Sequence, residues 1–314
     1  MNKSHCILLS LILLLSACGQ DKGKAHFNES QSLSDTSILK VALLPTLDCL
    51  PFSLAKEHGI YKQLGVRVKF IYYKSQMDID QQLAQGKVDA GASDLFRTML
   101  MQSNKSPVKY YMSTPRQWYL FAGKRLRVNK VQQLGDRMIG MARFSCPDYF
   151  CDYIRSQIPT RSGLLLRAQV NDIQLRLQML NNSQIDAAVL PAPLSIVAEQ
   201  RGHTRLATAE GLNGMAGLAV HSNINKTQRS ALNKLIQGYN MEIDSLKAHP
   251  IGPLTSWLNR IYGIDSIPVK VQRSKMMSHA FKPQSDKVNT ALKWMRSKNR
   301  LGRHYTADTL LWAK

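Results

Sequence analysis

The sequence predicts an α/β protein of two lobes on mainly parallel sheets, with a cleft between them. Three observations carry that expectation. From residue 38 onward, short β-branched runs alternate with amphipathic helical stretches, the pattern of right-handed βαβ units. One helix–strand unit occurs twice, about ninety residues apart, as two lobes of one design would require. If the second lobe ends near residue 211, the remaining chain must return to the first, so the lobes are joined by two crossings.

The elements follow in order. Leu39-Lys-Val-Ala-Leu-Leu44 reads as a strand, closed by the loop Pro45-Thr-Leu-Asp-Cys-Leu-Pro51. Residues 52–64 carry Leu54, Ala55, His58, Tyr61 and Leu64 at helical spacing, and Gly65 stops that helix. Residues 66–73 alternate as a strand, 78–85 form a short helix ended by Gly86, and Val88-Asp-Ala-Gly-Ala92 is a strand of small residues. The pattern then repeats: strand 137–142, helix 147–158, strand 164–170, helix 173–180 and strand 185–190. The segment from Asp78 through Val88-Asp-Ala matches that from Asp172 through Ile185-Asp-Ala: a helix, a polar break, then a hydrophobic-Asp-Ala strand. Residues 215–221 are a strand, 226–248 a long helix, Pro250, Pro253 and Gly263 punctuate shorter helices, and 286–297 is a closing helix.

The start of the chain reads differently. Met1-Asn2-Lys3 is a short positive start, and residues 7–15 are almost wholly apolar, too short to cross a hydrocarbon core. Leu15-Ser-Ala-Cys18 resembles the lipobox of bacterial lipoproteins, which implies cleavage before Cys18 and lipid on its thiol. Residues 18–36 are polar and without apolar period, a tether. The expected organisation is a signal peptide over 1–17, the tether over 18–36, one lobe from 37–117 and 212–314, and a second from 118–211. The body is then held by its anchor outside a bacterial membrane.

The formal net charge is +21, from 42 Lys and Arg against 21 Asp and Glu. That balance favours anionic partners in general. The basic residues are scattered, however, as in Lys124, Arg125, Arg127 and Lys130, and none interleaves with aromatics in a nucleic-acid motif. No nucleic-acid partner is expected. Beyond Cys6 and Cys18 remain Cys49, Cys146 and Cys151, an odd number. The Cys146-Pro-Asp-Tyr-Phe-Cys151 spacing matches neither a zinc ribbon nor a redox Cys-x-x-Cys, so the reading is buried thiols, with one disulfide left open, and no metal or cofactor.

Lys40-Val-Ala-Leu-Leu-Pro, then Leu50-Pro-Phe-Ser-Leu-Ala-Lys-Glu-His-Gly-Ile-Tyr-Lys-Gln-Leu-Gly-Val66, resembles the start of the periplasmic solute-binding proteins of ABC importers. The branch is the one with sulfonate-, nitrate- and thiamine-precursor-binding members. Leu83-Ala-Gln-Gly-Lys-Val-Asp-Ala90 and the closing helix at Asp286-Lys-Val-Asn-Thr-Ala-Leu-Lys-Trp-Met295 match as well. The resemblance implies a two-lobed, type II-like binding-protein fold, a small-molecule ligand in the cleft and an ABC permease as partner. It reaches also to enzymes of pyrimidine and menaquinone biosynthesis, but those are cytosolic and this chain is built for export. No nucleophile elbow, His-Glu-x-x-His or phosphate-cradling loop is present, so no enzyme is expected. An extracellular interaction protein without small ligand is the other alternative.

In open α/β sheets ligands sit beyond the carboxyl ends of strands, beside helix N-termini. The loops meeting that condition supply the candidates Thr46, Asp48, Cys49, Gln76, Ser93, Asp94, Arg116, Arg143, Ser145, Tyr149 and Pro191. Thr46, Asp48, Ser93, Asp94 and Ser145 are equally suited to helix capping. Arg116 at the first crossing and Arg143 at a cleft loop are candidate anion clamps, with a hinge salt bridge the commoner role for an arginine placed like Arg116. Trp118 and Tyr119 suit stacking or core packing, and His279 stands alone in a late segment. The expected ligand is an anion or a polar heteroaromatic.

Overall fold

The structure is a computed structural model that describes residues 38–159, 163–248, 256, 259–260 and 277–312. The expected signal, Cys18 and tether lie outside the described residues, as do Pro250, Pro253 and Gly263. Contacts divide the chain after Ser34, and the unit from Asp35 to Lys314 carries everything that follows.

The elements of the first half are β1 (Leu39–Leu43), α1 (Leu50–Glu57), α2 (Ile60–Gln63), β2 (Val68–Tyr72), α3 (Gln76–Ala84), β3 (Ala90–Asp94), α4 (Leu95–Ser103) and β4 (Val108–Ser113). Then come β5 (Trp118–Ala122), β6 (Arg137–Met141), α5 (Cys146–Ser156), β7 (Leu165–Gln169), α6 (Ile173–Asn181), β8 (Ala187–Pro191), α7 (Leu194–Gln200) and β9 (Thr204–Thr208). The chain continues through β10 (Ala216–His221), α8 (Lys226–Ala248), α9 (Ser285–Ser297) and α10 (Ala307–Leu310).

Local chemistry sets several boundaries. The helix expected over 52–64 is two helices, because Gly59 takes the left-handed conformation (φ 74°) and breaks it. The helix expected at 78 begins at Gln76, since the Ser75 hydroxyl caps it by accepting from the Asp78 N–H. Asp172 caps α6 in the equivalent place, accepting from the Gln174 and Leu175 N–H groups.

Two five-stranded sheets result, ordered β2-β1-β3-β10-β4 and β7-β6-β8-β5-β9. In each the expected parallel βαβ units form three strands. The strand that enters after a crossing, β10 or β5, pairs antiparallel on both sides. The sheets are therefore mixed rather than mainly parallel. The repeated helix–strand units, α3–β3 and α6–β8, occupy the same third position in both orders.

The chain passes between sheets at residues 114–117 and 209–215. The crossings are tied together: Thr114 N–H donates to Ala216 O at 2.8 Å and Ser113 Oγ to Gly214 O at 2.7 Å. At Gly217 a Cβ would fall 1.8 Å from the Met112 carbonyl oxygen, so only glycine lets β10 lie this close to β4. Behind the first sheet α8 packs on α1, with Tyr239 against Phe52 at 4.6 Å. Helix α9 reaches across to α5, where the Trp294 indole donates to Asp152 Oδ2 at 2.6 Å. Each of the two buried apolar clusters contains residues from both sheets. No described helix is long and apolar enough to cross a membrane.

Candidate functional site

The carboxyl ends of β1, β3, β6 and β8 bring the candidate residues together in three groups. The first joins the loop after β1 to the first crossing. Asp48 and Arg116 are both buried, and Arg116 Nε donates to Asp48 Oδ1 at 2.9 Å. Thr114 Oγ1 donates to Asp48 Oδ2 at 2.7 Å, and the Arg116 guanidinium lies over the Trp118 ring at 5.7 Å. Burial alone would raise the Asp48 pKa; the Arg116 charge and the bonds from Arg116 and Thr114 hold it below its ordinary value. Burial, then the Asp48 charge, push the neighbouring Cys49 thiol up to about 11, so it is protonated and inert at neutral pH. The Thr46 hydroxyl lies alongside both groups and is a further hydrogen-bonding influence that lowers each. The Trp118 Nε1 is buried without a partner. Arg116 is thus a hinge ion pair whose charge is already matched, not an open anion clamp.

The second group belongs to the end of β3 and to α3 and α4. Asp94 caps α4, its Oδ1 accepting from the Arg97 N–H at 2.8 Å. Arg97 Nε in turn donates to Asp80 Oδ2 at 2.7 Å, and Gln76 Nε2 donates to Asp80 Oδ1 at 3.0 Å and to Ala92 O at 2.6 Å. Ser93 exchanges a hydrogen bond with Thr98 at 3.1 Å. Burial raises Asp80 against the charge of Arg97.

The third group faces the second from the loop after β6. The Cys146 N–H, first in α5, donates to Asp94 Oδ2 at 3.1 Å, and Arg97 Nη1 donates to Arg143 O at 3.2 Å. The Phe144 N–H donates to Asp148 Oδ2 at 2.8 Å. Ser145 occupies the cap position of α5, but its hydroxyl donates backwards to Ala142 O at 2.6 Å. Arg143 is 41% exposed in its side chain, with Nε 3.8 Å from Asp148 Oδ2. Tyr149 stacks on Phe96 at 5.3 Å and lines a pocket of about 390 Å³ between α5, the second crossing and α9. Pro191 is buried opposite Trp118 in the β5–β8 ladder.

The walls of the cleft touch elsewhere too. Leu47 N–H donates to Ala192 O at 2.9 Å, and Ser75 forms an isolated antiparallel bridge with Asp172, so the caps of the two equivalent helices meet. His279 is not among these residues; it pairs with Asp244 of α8 at 2.7 Å on the exposed side. Cys49, Cys146 and Cys151 are all free and buried. The last two are five residues apart on α5, a rise of about 7.5 Å that no disulfide spans. Among the described residues no group of three or more His, Cys, Asp or Glu side chains is placed to hold a metal ion. Asp80, Arg97, Thr114 and Asp148 belong to the site without having been expected. Each lies inside a helix or at a strand end, where sequence alone offers an ordinary structural role.

Comparison with known proteins bears on what such a cleft belongs to. Residues 46–144 match the family model described as NMT1/THI5 like. A search of curated proteins finds no match. Among solved structures, the alkanesulfonate-binding protein SsuA from Xanthomonas axonopodis pv. citri, bound to MOPS, is 15% identical with a TM-score of 0.73, over 88% of this chain and 98% of that one. The nitrate-binding protein NrtA from Synechocystis PCC 6803 is 12% identical with a TM-score of 0.66, over 88% and 84%. PhnD1 from Prochlorococcus marinus, in complex with methylphosphonate, is 11% identical with a TM-score of 0.58, over 85% and 100%. The first two are named as binding proteins. At these identities the likeness shows the fold, which is the two-lobed α/β fold of periplasmic binding proteins.

Proposed function

With that fold as premise, we propose that the chain is an extracytoplasmic lipoprotein that captures a small polar molecule between its lobes and delivers it to the permease of an ABC importer. In this reading residues 1–17 are a signal peptide, Cys18 carries the lipid and 18–36 are the tether. One lobe is 37–117 with 212–314 and the other 118–211. The observation that carries it is the convergence of buried polar side chains from both sheets at the strand ends, with Trp118 Nε1 left without a partner. A buried polar atom without a hydrogen bond costs about 1–3 kcal/mol, and a ligand that bonded to it would recover that cost. Half-exposed Arg143 and Tyr149 are the other groups we assign to ligand contact. The names of the matched structures and the Leu-Ser-Ala-Cys segment support the reading independently of the cleft.

The test begins with mass spectrometry of small molecules released when the purified chain is denatured, followed by calorimetry with each compound found. A bound molecule should raise the melting temperature and should lose affinity when Trp118 is replaced by Phe. If nothing is released, and no compound in a broad metabolite panel shifts the melt, the reading fails.

A further inference from the structure

We propose that Asp94 is a specificity residue that turns small oxyanions away from the cleft: it is a tethered anion seated at the N-terminus of α5, so the ligand presents a neutral or cationic group to this wall. The inference rests on the cleft-binding function proposed above. An ordinary helix cap uses one oxygen. Asp94 does so with Oδ1, which accepts from Arg97 N–H in its own helix. Its Oδ2 is different, because it reaches the other lobe and accepts from Cys146 N–H, 52 positions along the chain. One carboxylate thus caps α4 and α5 from opposite lobes.

The first N–H groups of a helix, with its partial positive charge, are where a bound anion gains most. In α5, eleven residues long, that position is filled by Asp94, and a second carboxylate, Asp148, lies in the first turn accepting from Phe144 N–H. The buried cations beside Asp94 are matched in the same way, Arg97 by Asp80 and Arg116 by Asp48, while buried Arg176 spends its donors on the Val170 and Val189 carbonyls. Arg167, on β7, is held by Asp148 and Asp152. An incoming sulfonate, nitrate or phosphonate at this helix end would therefore find the N–H filled, Arg176 committed to carbonyls and Arg143 beside Asp148, and it would be placed beside a carboxylate. Burial pushes Asp94 up to about 6, against the two N–H groups and the Arg97 charge, so near neutral pH it is ionised but weakly solvated. A neutral donor or a cation would stabilise it where an anion would repel it.

The experiment measures binding of methanesulfonate, nitrate and methylphosphonate to the full chain at neutral pH by calorimetry, beside Asp94→Ser. Serine still caps α4 but leaves the Cys146 N–H open. Circular dichroism checks the fold, and Asp94→Asn, which cannot accept from both helices with charge, serves if serine does not fold. The parent should bind none of the three saturably, and the variant should bind at least one saturably, with an affinity at least about tenfold above the detection limit set by the parent. Tight binding of any of them to the parent overturns the proposal, and so does a folded variant that gains nothing. A co-purified anion held by the parent would also overturn it, while supporting the binding-protein reading. Absence of any small ligand defeats that reading instead, leaving the Asp94→Ser comparison to judge the inference.

Discussion

The Asp48–Arg116 pair ties the loop after β1 to the first crossing, and its removal has a pH signature. Both side chains are 2% exposed. Taking away one partner leaves the other charge uncompensated, which costs about 3–5 kcal/mol, whereas replacing both by apolar groups of similar size is close to neutral. In a chain of this size that single loss lowers the melting temperature by roughly 5–9 °C. The two single variants should differ. In Arg116→Met the buried Asp48 loses the charge that holds its pKa down, so burial raises it and the group can protonate. The deficit is then full at neutral pH and shrinks as pH falls toward about 5. In Asp48→Leu the guanidinium cannot shed its proton, so the deficit persists over the same range. The parent behaves oppositely to Arg116→Met. Its lowered Asp48 pKa contributes stability present above the ordinary value of 3.8 and lost as pH falls through the folded value. Calorimetric melts of parent, both singles and the double variant across this pH range measure the coupling. A folded Arg116→Met that melts within about 2 °C of the parent at neutral pH, or a double variant no more stable than either single, would refute the account.

Three further outcomes are expected. Asp94, raised from 3.8 to about 6, favours folding below its unfolded pKa and loses that contribution as pH rises through about 6. With Asp80, Arg97, Cys146, Arg116 and Tyr110 around it, its full window is worth up to about 3 kcal/mol, and Asp94→Asn should flatten that slope in melts from about pH 4 to 7; parallel profiles would contradict it. Gly217→Ala should destabilise by roughly 1–3 kcal/mol, since its methyl group meets the Met112 carbonyl; denaturant unfolding with an unchanged midpoint would count against that packing. Intact mass of membrane-extracted chain should show residues 1–17 lost and acyl groups on Cys18, and Cys18→Ser should abolish the modification; a bare Cys18 would defeat the anchor.

The parallel half of each sheet is legible in the sequence because its strands are small-residue or β-branched runs between helices with clear stripes. Helix α4 is legible at its start, where Asp94 suits a cap, but not in its extent, since Arg97, Thr98 and Gln102 are buried alongside Leu95 and Phe96 and leave no polar face to mark its period. Strand β9, Thr-Arg-Leu-Ala-Thr at a sheet edge and half-buried except for exposed Arg205, lacks the alternation of a strand with one wet face. The candidate residues are legible as types at strand ends; their partners are not. Arg116 reads as a clamp until Asp48, 68 positions earlier, is seen to match it. The second bond of Asp94 has no local signal at all, because its donor is a backbone N–H in the other lobe.

The strand order also dictates a sequence of assembly. All five strands of the second sheet lie between Trp118 and Thr208, so that sheet is complete as soon as residue 208 is available. The first sheet must wait. Among the described strands β4 is laddered with β10 alone, its other bridges being single ones to the later Phe281 and Leu311, and β10 fills the slot between β3 and β4. As the chain emerges from its N-terminus, β1, β2 and β3 present a bare edge and β4 has nothing to join until residues 216–221 arrive. Unpaired edges of this kind are where nascent chains aggregate or recruit chaperones. Strand β10 is the keystone: a chain ended near residue 212 would hold one finished sheet and one left open, with β4 hanging free beside it.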